Sequence, residues 1–283
     1  SDIHLSQVSR GMTLSSVLCP TPMKISYPFT LPGLYREKKA AEHIKQHYFD
    51  FEELQKQGLD ALIVSGANVQ QPFLIDEPFW EPLTKVMEWS LENVASTLCS
   101  CLATHAIVKQ LYDIDRIPLK EKKWGVYSHQ TIEKEHPLMR NINTRFDAPH
   151  SRYNEISKQQ FEEAGLIVLA ESEEAGAHIA VSRDQFRVVY FQGHPEYDVN
   201  SLLKEYKREV IRYMEDEINE PPPFPEHYFD YGAKHIIDTY INTIKDCKYE
   251  KKDLPVFPED GLNECIDNTW GDTGKAIFNN WLG

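Results

Sequence analysis

A cysteine, a histidine and a glutamate in this sequence could together carry out nucleophilic catalysis. Cys101 follows the apolar segment "ASTLCS", and His194 and Glu196 belong to a Gly-His-Pro-Glu turn that follows another apolar segment. A thiol nucleophile needs a base within hydrogen-bonding reach and a third group that orients the base. Cys101, His194 and Glu196 are therefore the candidate nucleophile, base and orienting group for attack on a carbonyl carbon.

Cys101 occupies the position of a nucleophile elbow, a sharp turn from a strand into a helix that exposes the side chain above the sheet. The helix N-terminus favours the nucleophilic thiolate. The backbone N–H of Leu102 would face an oxyanion formed by attack of the sulfur. The glycines of the Gly-x-Cys-x-Gly elbow are absent, and an inert core cysteine is the alternative interpretation of Cys101. Cys99 has the pattern of a strand residue directed into the core.

Alternating strands and helices are expected to position these groups. Residues 59–66, 95–100 and 186–192 are apolar segments typical of buried strands, whereas residues 77–94 and 101–114 have helical patterns. This alternation predicts βαβ units on a parallel sheet, in which the carboxyl ends of the strands form one crevice. Further strands are predicted at residues 123–128, 165–172 and 177–182. Because the last strands follow one another closely, part of the sheet should be mixed or antiparallel.

The remaining segments have simpler patterns. Residues 37–58 predict one helix that ends at Gly58, and residues 200–217 predict another. The polar run "RFDAPHSRYNE", residues 145–155, has the composition of a binding loop. The prolines at 221–223 cannot continue a helix and indicate a surface connector within one domain.

Composition excludes several classes of protein. The 283 residues include 30 Lys and Arg against 44 Asp and Glu, a net charge of −14 that argues against nucleic-acid binding. No segment has the length and apolarity of a membrane span or the order of a signal peptide, so a cytoplasmic location without membrane contact is expected. Five scattered cysteines favour reduced thiols, and their spacing predicts no metal site.

Four polar residues are candidates for substrate binding. Ser151 and Arg152 belong to the polar run, where Arg152 could bind a carboxylate. Glu205 and Arg208 are three residues apart on the predicted helix that follows the His-Pro-Glu turn, so they share one face. They could form a surface ion pair. Alternatively, they could bind the ammonium and carboxylate groups of a free amino acid.

Taken together, these segments resemble the homoserine O-acyltransferase family, which includes homoserine O-succinyltransferases and transacetylases. The resemblance covers about residues 40–215 and, more loosely, the tail "GKAIFNNWL". The motifs that carry it are "LDALIVSGA", "MEWS", "STLCSCLATHA", "APHSRY", "VLAESEE" and "GHPEYD" followed by Glu205 and Arg208. It implies an α/β three-layer sandwich with a mainly parallel sheet and a nucleophile elbow, similar to the class I glutamine amidotransferase (flavodoxin-like) fold. The chain is expected to form one domain over residues 1–283, with an atypical segment 1–36 and an extension 218–283.

The resemblance also implies an enzyme of methionine biosynthesis. Cys101 would take an acetyl or succinyl group from acyl-coenzyme A in a ping-pong reaction, with His194 as base and Glu196 as its orienting group. The hydroxyl of homoserine, serine or a related amino alcohol would then accept the acyl group. The acyl-CoA is a cosubstrate, and no cofactor is expected to stay bound. The backbone N–H groups of Leu102 and near Ala67 would form the oxyanion hole.

Further roles follow from the same resemblance. Lys122, Ser151 and Arg208 match substrate-binding positions, and Glu205 and Arg208 would hold the amino-acid end of the acceptor. Gln70 occupies the position that helps to set the acyl group, but it is neither the acidic residue typical of acetyl transfer nor the glycine typical of succinyl transfer. A homodimer is possible by analogy with the relatives.

This chain departs from the family pattern in its first 36 residues, where no counterpart of the family's N-terminal strand and lysine-bearing loop is evident. Leu102, Asn68 and His105 replace a common tryptophan, proline and glutamine. Two other functions therefore stay open. One is a glutamine amidotransferase or amidase, which also pairs an elbow cysteine with His-Pro-Glu. The other is a protein that binds an acyl-CoA or an amino acid without turnover.

Overall fold

The computed structural model describes residues 4–11, 23–34, 38–66, 69, 71–250 and 253–283. The chain divides into two compact units, each built from separate segments. Unit 1 takes its residues from Ser1–Pro118, Asn154–Ala170 and Gly176–Gln192, and unit 2 from Leu119–Tyr153, Glu171–Ala175 and Gly193–Gly283. Neither unit is continuous along the chain, so the prediction of one domain over residues 1–283 stays a prediction.

Strands and helices alternate over much of the described chain. The strands are β1 (His4–Gly11), β2 (Met23–Ser26), β3 (Phe29–Thr30), β4 (Ala61–Val64), β5 (Ser96–Ser100), β6 (Ile117–Thr131), β7 (Arg145–Glu155), β8 (Ile167–Ser172), β9 (Gly176–Val181) and β10 (Val188–Phe191). The helices are α1 (Lys38–His47), α2 (Phe51–Gln57), α3 (Trp80–Asn93), α4 (Leu102–Tyr112), α5 (Lys158–Glu163), α6 (Ser201–Met214), α7 (Tyr231–Glu250), α8 (Glu259–Asn263) and α9 (Gly271–Leu282). Short 3-10 turns lie at Leu74–Asp76 and Pro137–Met139.

The sheet of unit 1 has parallel strands at its centre. Its order is β2-β1-β4-β5-β10-β9-β8, with β3 paired to β1. β4 and β10 both run parallel to β5, whereas β1 is antiparallel to β4 and β9 is antiparallel to β10. The predicted α/β class is confirmed. One antiparallel pair, β9 with β10, lies where the closely spaced strands were expected to produce it, and the pairing of β1 adds another antiparallel part that was not predicted.

Helices α3 and α4 cover this sheet because their sequences are apolar at the helical period. In α3 the buried residues Leu83, Val86, Met87 and Ser90 recur at the spacing of one helix face. The first seven residues of α4 are all buried, as expected for a helix that follows a central strand. Both helices pack against β5, the strand that Cys101 follows.

The N-terminal segment differs from expectation. In the first 36 residues no counterpart of the family's strand was evident, so no N-terminal strand was expected. The structure has one, β1, which pairs antiparallel with β2, β3 and β4. Its mixed sequence "HLSQVSRG" lacks a sustained alternation of apolar and polar residues. The pairing partners, rather than local periodicity, define it as a strand.

The single helix predicted over residues 37–58 is in fact two helices. α1 ends at His47, and the Phe49 N–H donates to the Pro28 carbonyl at 2.8 Å instead of continuing the helix. Asp50 then caps α2, because its Oδ1 accepts hydrogen bonds from the N–H groups of Glu52 (2.9 Å) and Glu53 (3.2 Å). The continuous helical periodicity of the sequence concealed this break.

The polar run at residues 145–155 is a strand, β7, and not the predicted loop. It neighbours β6 in the sheet. Phe146, Ala148, His150 and Arg152, which alternate along β7, are all buried. The sequence appeared to be a loop because two of these buried side chains are a histidine and an arginine. Their hydrogen-bond partners, described below, make their burial possible.

Unit 2 has its own apolar core. It is formed by residues of β6, α6, α7 and the C-terminal segment, among them Trp124, Leu203, Tyr206, Ile237 and Trp270. The connector with the three prolines runs beside this core, since Phe224 packs against it. Across the described parts of the chain, every helix is too short or too polar to cross a membrane.

Candidate active site

Cys101 lies at a strained strand-to-helix turn in unit 1. β5 ends at Ser100 and α4 begins at Leu102, and the intervening Cys101 has φ 53° and ψ −116°. A non-glycine residue in such a conformation costs of order 1–3 kcal/mol and is typical of functional sites. The Cys101 N–H donates to the Phe191 carbonyl at 2.8 Å, which joins the turn to the end of β10. This is the geometry of a nucleophile elbow.

The end of β4 lies against the elbow. A Cβ atom added to Gly66 would lie 3.3 Å from Leu102 N and 3.5 Å from Cys101 Cβ. Glycine therefore leaves room beside the backbone N–H group that was predicted to bind an oxyanion. Ala67, the predicted second part of the oxyanion hole, and Gln70, the predicted determinant of the acyl group, lie outside the described residues.

The two neighbouring cysteines have different environments. Cys99 has no exposed surface, and burial raises the pKa of its thiol, so it stays protonated at neutral pH. Cys101 is only partly buried. The prediction that Cys99 is directed into the core is confirmed, and Cys101 is the more accessible thiol of the C-x-C pair.

One turn after the elbow, His105 is buried and contacts the end of β10. Its Nε2 lies 3.1 Å from Gln192 Oε1, which also accepts a hydrogen bond from the Ile156 N–H at 2.7 Å. The Gln192 amide nitrogen donates to the carbonyls of Ile156 and Ala177 at 2.8 and 2.7 Å. This network fixes the residue that precedes the Gly-His-Pro-Glu turn. Nothing in the local sequence identifies Gln192 as its centre.

In unit 2, His194 and Glu196 form the predicted pair. Nδ1 of His194 lies 2.9 Å from Oε1 of Glu196, and the His194 N–H donates to the Pro149 carbonyl at 2.7 Å. The histidine side chain is 10% exposed and the glutamate side chain 50%. A carboxylate that accepts the Nδ1 proton orients the ring and leaves Nε2 as the basic nitrogen. The ring of Tyr197 stacks on the imidazole.

Two of the predicted substrate-binding residues, Lys122 and Ser151, converge on the carboxylate of a third, Glu205. Glu205 Oε2 accepts a hydrogen bond from Ser151 Oγ at 2.6 Å and lies 3.5 Å from Lys122 Nζ. Its other oxygen accepts from the Tyr197 hydroxyl at 2.7 Å. The side chains of Lys122 and Glu205 are only 12% and 14% exposed. We call Lys122, Ser151, Tyr197 and Glu205 the Glu205 cluster.

The electrostatics of this cluster keep Glu205 ionised. Burial alone would raise the pKa of Glu205, but the hydrogen bonds from Ser151 and Tyr197 and the charge of Lys122 together hold that pKa below its usual range. Burial lowers the pKa of Lys122, and the neighbouring Glu205 opposes this effect. The result is a nearly buried anion beside a nearly buried cation. Tyr197 contributes to this cluster although the sequence did not single it out.

Arg208 and Arg152 lie in contrasting surroundings. The Arg208 side chain is 59% exposed on α6, and its Nε lies 3.5 Å from Oε1 of Glu209. The Arg208 guanidinium is therefore accessible to a small molecule in solution. Arg152 is buried, donates from Nε to His150 Nδ1 at 3.2 Å and donates from Nη2 to the Ala175 carbonyl. Its guanidinium is thus engaged by protein acceptors, whereas the sequence suggested a substrate carboxylate.

Arg152 begins a chain of buried hydrogen bonds. His150 Nδ1 accepts from Arg152, so His150 carries its proton on Nε2, which lies 3.1 Å from Nε2 of His129. His129 donates from Nδ1 to the Tyr127 carbonyl at 2.8 Å. Both imidazoles are therefore neutral with assigned tautomers. Burial lowers the pKa of His129 to about 4, the Tyr127 carbonyl partly opposes this, and the Arg152 charge lowers it further.

This series of hydrogen-bonded side chains supports the turn that carries His194. A Cβ added to Gly193 would lie 2.7 Å from His150 Nε2 and 2.8 Å from the Pro149 carbonyl oxygen, closer than real contacts allow. His150 therefore packs directly against the residue before His194. The motif "APHSRY" contains His150 and Arg152, but its spacing did not reveal that His150 packs against the turn or that Arg152 donates to His150.

Unit 1 has an α/β sheet with a strained cysteine elbow, and unit 2 contains an imidazole that is oriented by a carboxylate. This fold and these groups are typical of a class of α/β enzymes. Comparison with known proteins narrows this class. The family model described as homoserine O-succinyltransferase matches residues 7–283. The chain belongs to the homoserine O-succinyltransferase family, and it is an acyltransferase.

Individual relatives agree with this assignment. A homoserine O-succinyltransferase of Methylococcus capsulatus is 55% identical over 257 residues, which cover 91% of this chain and 72% of the relative. One from Cardiobacterium hominis is 44% identical over 255 residues, 90% of this chain and 71% of the relative. A solved glutamine amidotransferase structure from Thermotoga maritima is 13% identical, covers 86% of this chain and 89% of that chain, and has a TM-score of 0.47. Family membership rests on the sequence relatives and not on this likeness.

Proposed function

We propose that this enzyme transfers an acetyl or succinyl group from acyl-coenzyme A to the hydroxyl of homoserine, or of a related hydroxy amino acid, through an acyl-enzyme on Cys101. The observation that carries the proposal is the strained backbone of Cys101 at the elbow. Strain of this kind persists only when the surrounding structure enforces it, and here it presents a thiol above the sheet. The names of the relatives supply homoserine as the acceptor.

In the first half-reaction the Cys101 sulfur attacks the thioester carbonyl carbon while its proton passes to Nε2 of His194. The oxyanion that forms is stabilised by the Leu102 N–H and by the backbone near Ala67. The bond from the carbonyl carbon to the coenzyme A sulfur then breaks, and that sulfur receives the proton from His194. The hydrogen bond from the Cys101 N–H to the Phe191 carbonyl supports the assignment of His194 as the base, because Phe191 precedes His194 by three residues.

In the second half-reaction the acceptor hydroxyl attacks the acyl-enzyme. His194 removes the hydroxyl proton, the new ester bond forms, and the Cys101 sulfur leaves and recovers a proton from His194. Glu196 keeps the imidazole in one orientation through both half-reactions. The 2.9 Å contact between Nδ1 of His194 and Glu196 supports this role.

The amino-acid end of the acceptor is proposed to bind beside the Glu205 cluster. The ionised Glu205 would attract the ammonium group, and the exposed guanidinium of Arg208 would bind the carboxylate. Arg208→Ala should then raise the KM for homoserine roughly tenfold and leave the KM for the acyl donor unchanged. Arg183→Ala, at an exposed position of unit 1, is the matched control. An unchanged KM for homoserine would remove Arg208 from the acceptor site.

Intact-protein mass spectrometry tests the acyl-enzyme directly. The protein is mixed separately with acetyl-CoA and succinyl-CoA, and homoserine or serine is added afterwards. We expect one acyl group to be added by one of the donors, lost on addition of the acceptor, and absent from Cys101→Ala. Cys247→Ala, which removes another partly buried thiol, should still be acylated. Absence of an adduct with both donors, or an adduct that persists in Cys101→Ala, would refute the proposal.

The role of His194 has its own test. His194→Ala should abolish turnover and leave the circular dichroism spectrum unchanged. Retention of full activity in this variant would exclude His194 as the base. Release of ammonia from glutamine by the native protein would instead indicate an amidotransferase.

A further inference from the structure

We propose that the N-terminal end of helix α9 positions the turn that carries the catalytic base, with Gly274 and Trp270 as positioning residues for His194 and Glu196. The inference rests on the proposed function, in which His194 is the base. It assigns a role in the reaction to the C-terminal segment, which lies almost eighty residues beyond that turn.

Gly274 lies in direct contact with the backbone of the turn. A Cβ at this position would collide with the Pro195 carbonyl oxygen and would lie 3.2 Å from the Pro195 carbonyl carbon. Pro195 stands between His194 and Glu196, so the helix backbone abuts the peptide that joins the base to its orienting group. Because the obstructing atoms belong to the backbone, a side chain at 274 could be accommodated only by moving the turn or the helix.

Trp270 holds the next residue of the same turn. It precedes α9, is 1% exposed, and donates from Nε1 to the Tyr197 carbonyl at 2.8 Å. The ring of Tyr197 stacks on the His194 imidazole with centroids 4.2 Å apart. Fixing the Tyr197 backbone therefore fixes the aromatic surface against which the base lies.

The helix can act as a rigid support because other residues anchor it independently. Ile277 and Trp281 are buried, and the Asn280 side chain donates to the carbonyls of Leu138 and Arg140 at 2.9 and 2.8 Å. At the start of the helix, Asn268 Oδ1 accepts from the N–H groups of Trp270 and Gly271 at 3.3 and 2.8 Å. Both ends are thus held, and the turn meets a fixed surface.

Such a support matters because the rate of proton transfer depends steeply on geometry. A displacement of about 1 Å in a catalytic group can reduce a rate by roughly 10²-fold. With His150 packed against Gly193 and α9 packed against Pro195, the turn would keep Nε2 of His194 in one place through both half-reactions. The substrates themselves would still bind, since Trp270 contacts Tyr197 at its backbone carbonyl and neither Gly274 nor Trp270 contributes a side chain to the Glu205 cluster.

The test compares Gly274→Ala with two controls in unit 2. Asn280→Ala loosens the far end of the same helix, and Gly261→Ala makes the same chemical change where the added Cβ meets only Ile236 Cδ1 at 3.5 Å. Steady-state kinetics are measured with homoserine and with acetyl-CoA or succinyl-CoA, and thermal unfolding is followed in parallel. We expect Gly274→Ala to lower kcat about 10- to 100-fold with both KM values within about twofold of wild type. Gly261→Ala should keep kcat. Asn280→Ala, which removes an anchor of α9 without touching the turn, should lower kcat less than Gly274→Ala does.

Each outcome either supports or overturns the positioning role of α9. A wild-type kcat in Gly274→Ala overturns the inference, as does an equal loss of kcat in Gly261→Ala, which would indicate a general effect of the added methyl group. If Gly274→Ala does not fold, Trp270→Phe replaces it, because phenylalanine keeps an aromatic side chain but lacks the donor to Tyr197. Lowered kcat at unchanged KM then supports the inference, and wild-type kcat overturns it.

The His194→Ala variant separates this inference from the proposed function. If His194→Ala retains full turnover, the proposed function fails whatever Gly274→Ala does. If His194→Ala is inactive and Gly274→Ala has the kcat of the wild type, only the role of α9 fails.

Discussion

The phenol ring of Tyr197 stacks on the imidazole of His194, with ring centroids 4.2 Å apart and planes inclined by 19°. The hydroxyl of the same tyrosine donates to Glu205 Oε1 at 2.7 Å. One side chain therefore contacts both the proposed base and the carboxylate proposed to bind the acceptor. The two contacts can be tested separately, because phenylalanine at position 197 would keep the stacking on His194 and lose the hydrogen bond to Glu205.

We predict that Tyr197→Phe raises the KM for homoserine about 3- to 10-fold and changes kcat less than about twofold. Glu205 loses a hydrogen-bond donor in this variant, while the ring beside His194 is kept. Tyr197→Leu, which loses the ring as well, should also lower kcat. Steady-state kinetics provide the measurement, and Tyr249→Phe at a 91% exposed position is the control. Identical kinetic constants for Tyr197→Phe and wild type would contradict the coupling.

The ionised Glu205 should contribute stability that depends on pH. Its pKa is lower in the folded protein than in the unfolded chain, so the contribution is present above pH about 4.5 and is lost as the pH falls through the folded pKa. Glu205→Gln should be less stable than wild type by about 1–3 kcal/mol at pH 7, because Lys122 loses its partner. Urea unfolding from pH 3 to 7 should show this difference shrinking in acid. A difference independent of pH would indicate that Glu205 is not ionised in the folded protein.

His129 should make the protein less stable in mild acid. Its folded pKa of about 4 lies below the ordinary histidine pKa of 6.5, so between these pH values the unfolded chain binds the additional proton. The free energy of unfolding should therefore fall as the pH decreases from 6.5 to 4, by roughly 3 kcal/mol from this residue. His129→Asn, which keeps a donor for the Tyr127 carbonyl, should show a smaller slope in urea unfolding. Equal slopes for the two proteins would contradict a neutral, buried His129.

The strain at Cys101 predicts an unusual effect of glycine. Cys101→Gly should be more stable than Cys101→Ala by about 1 kcal/mol, because glycine adopts φ 53° without a steric penalty. At the exposed Ala41 of α1, the same exchange of alanine for glycine should destabilise by about 0.5–1 kcal/mol. Urea unfolding of the four proteins measures both differences. If alanine is the more stable residue at both positions, the elbow is not strained.

Local sequence patterns were sufficient to predict the elements around the elbow. The apolar segment that became β5, the helical pattern that became α4 and the Gly-His-Pro-Glu turn after β10 all follow from short-range periodicity. The same patterns failed at residues 37–58, where the Asp50 cap divides a continuous helical signal. They failed again at β7, where buried His150 and Arg152 gave a strand the composition of a loop.

The composition of the Glu205 cluster could be anticipated only in part. Ser151 and Glu205 were singled out from the residue patterns and Lys122 through the family resemblance, but Tyr197 was not. The atoms that meet here come from residues as far as 83 positions apart in the chain. No local pattern encodes a hydrogen bond of that separation, because its geometry depends on how β6, β7 and α6 pack.

By itself, the sequence determined the α/β class, the position of Cys101 at an elbow, the pairing of His194 with Glu196 and membership of the family. These features depend on residues that are close in the chain or that form ordered motifs. The tertiary structure decided that Arg152 supports His150 from within, that Arg208 remains exposed and that Gly274 abuts Pro195. The physical reason is that a polar side chain can be buried only where the fold supplies its partners, and a glycine is required only where the fold brings another backbone against it.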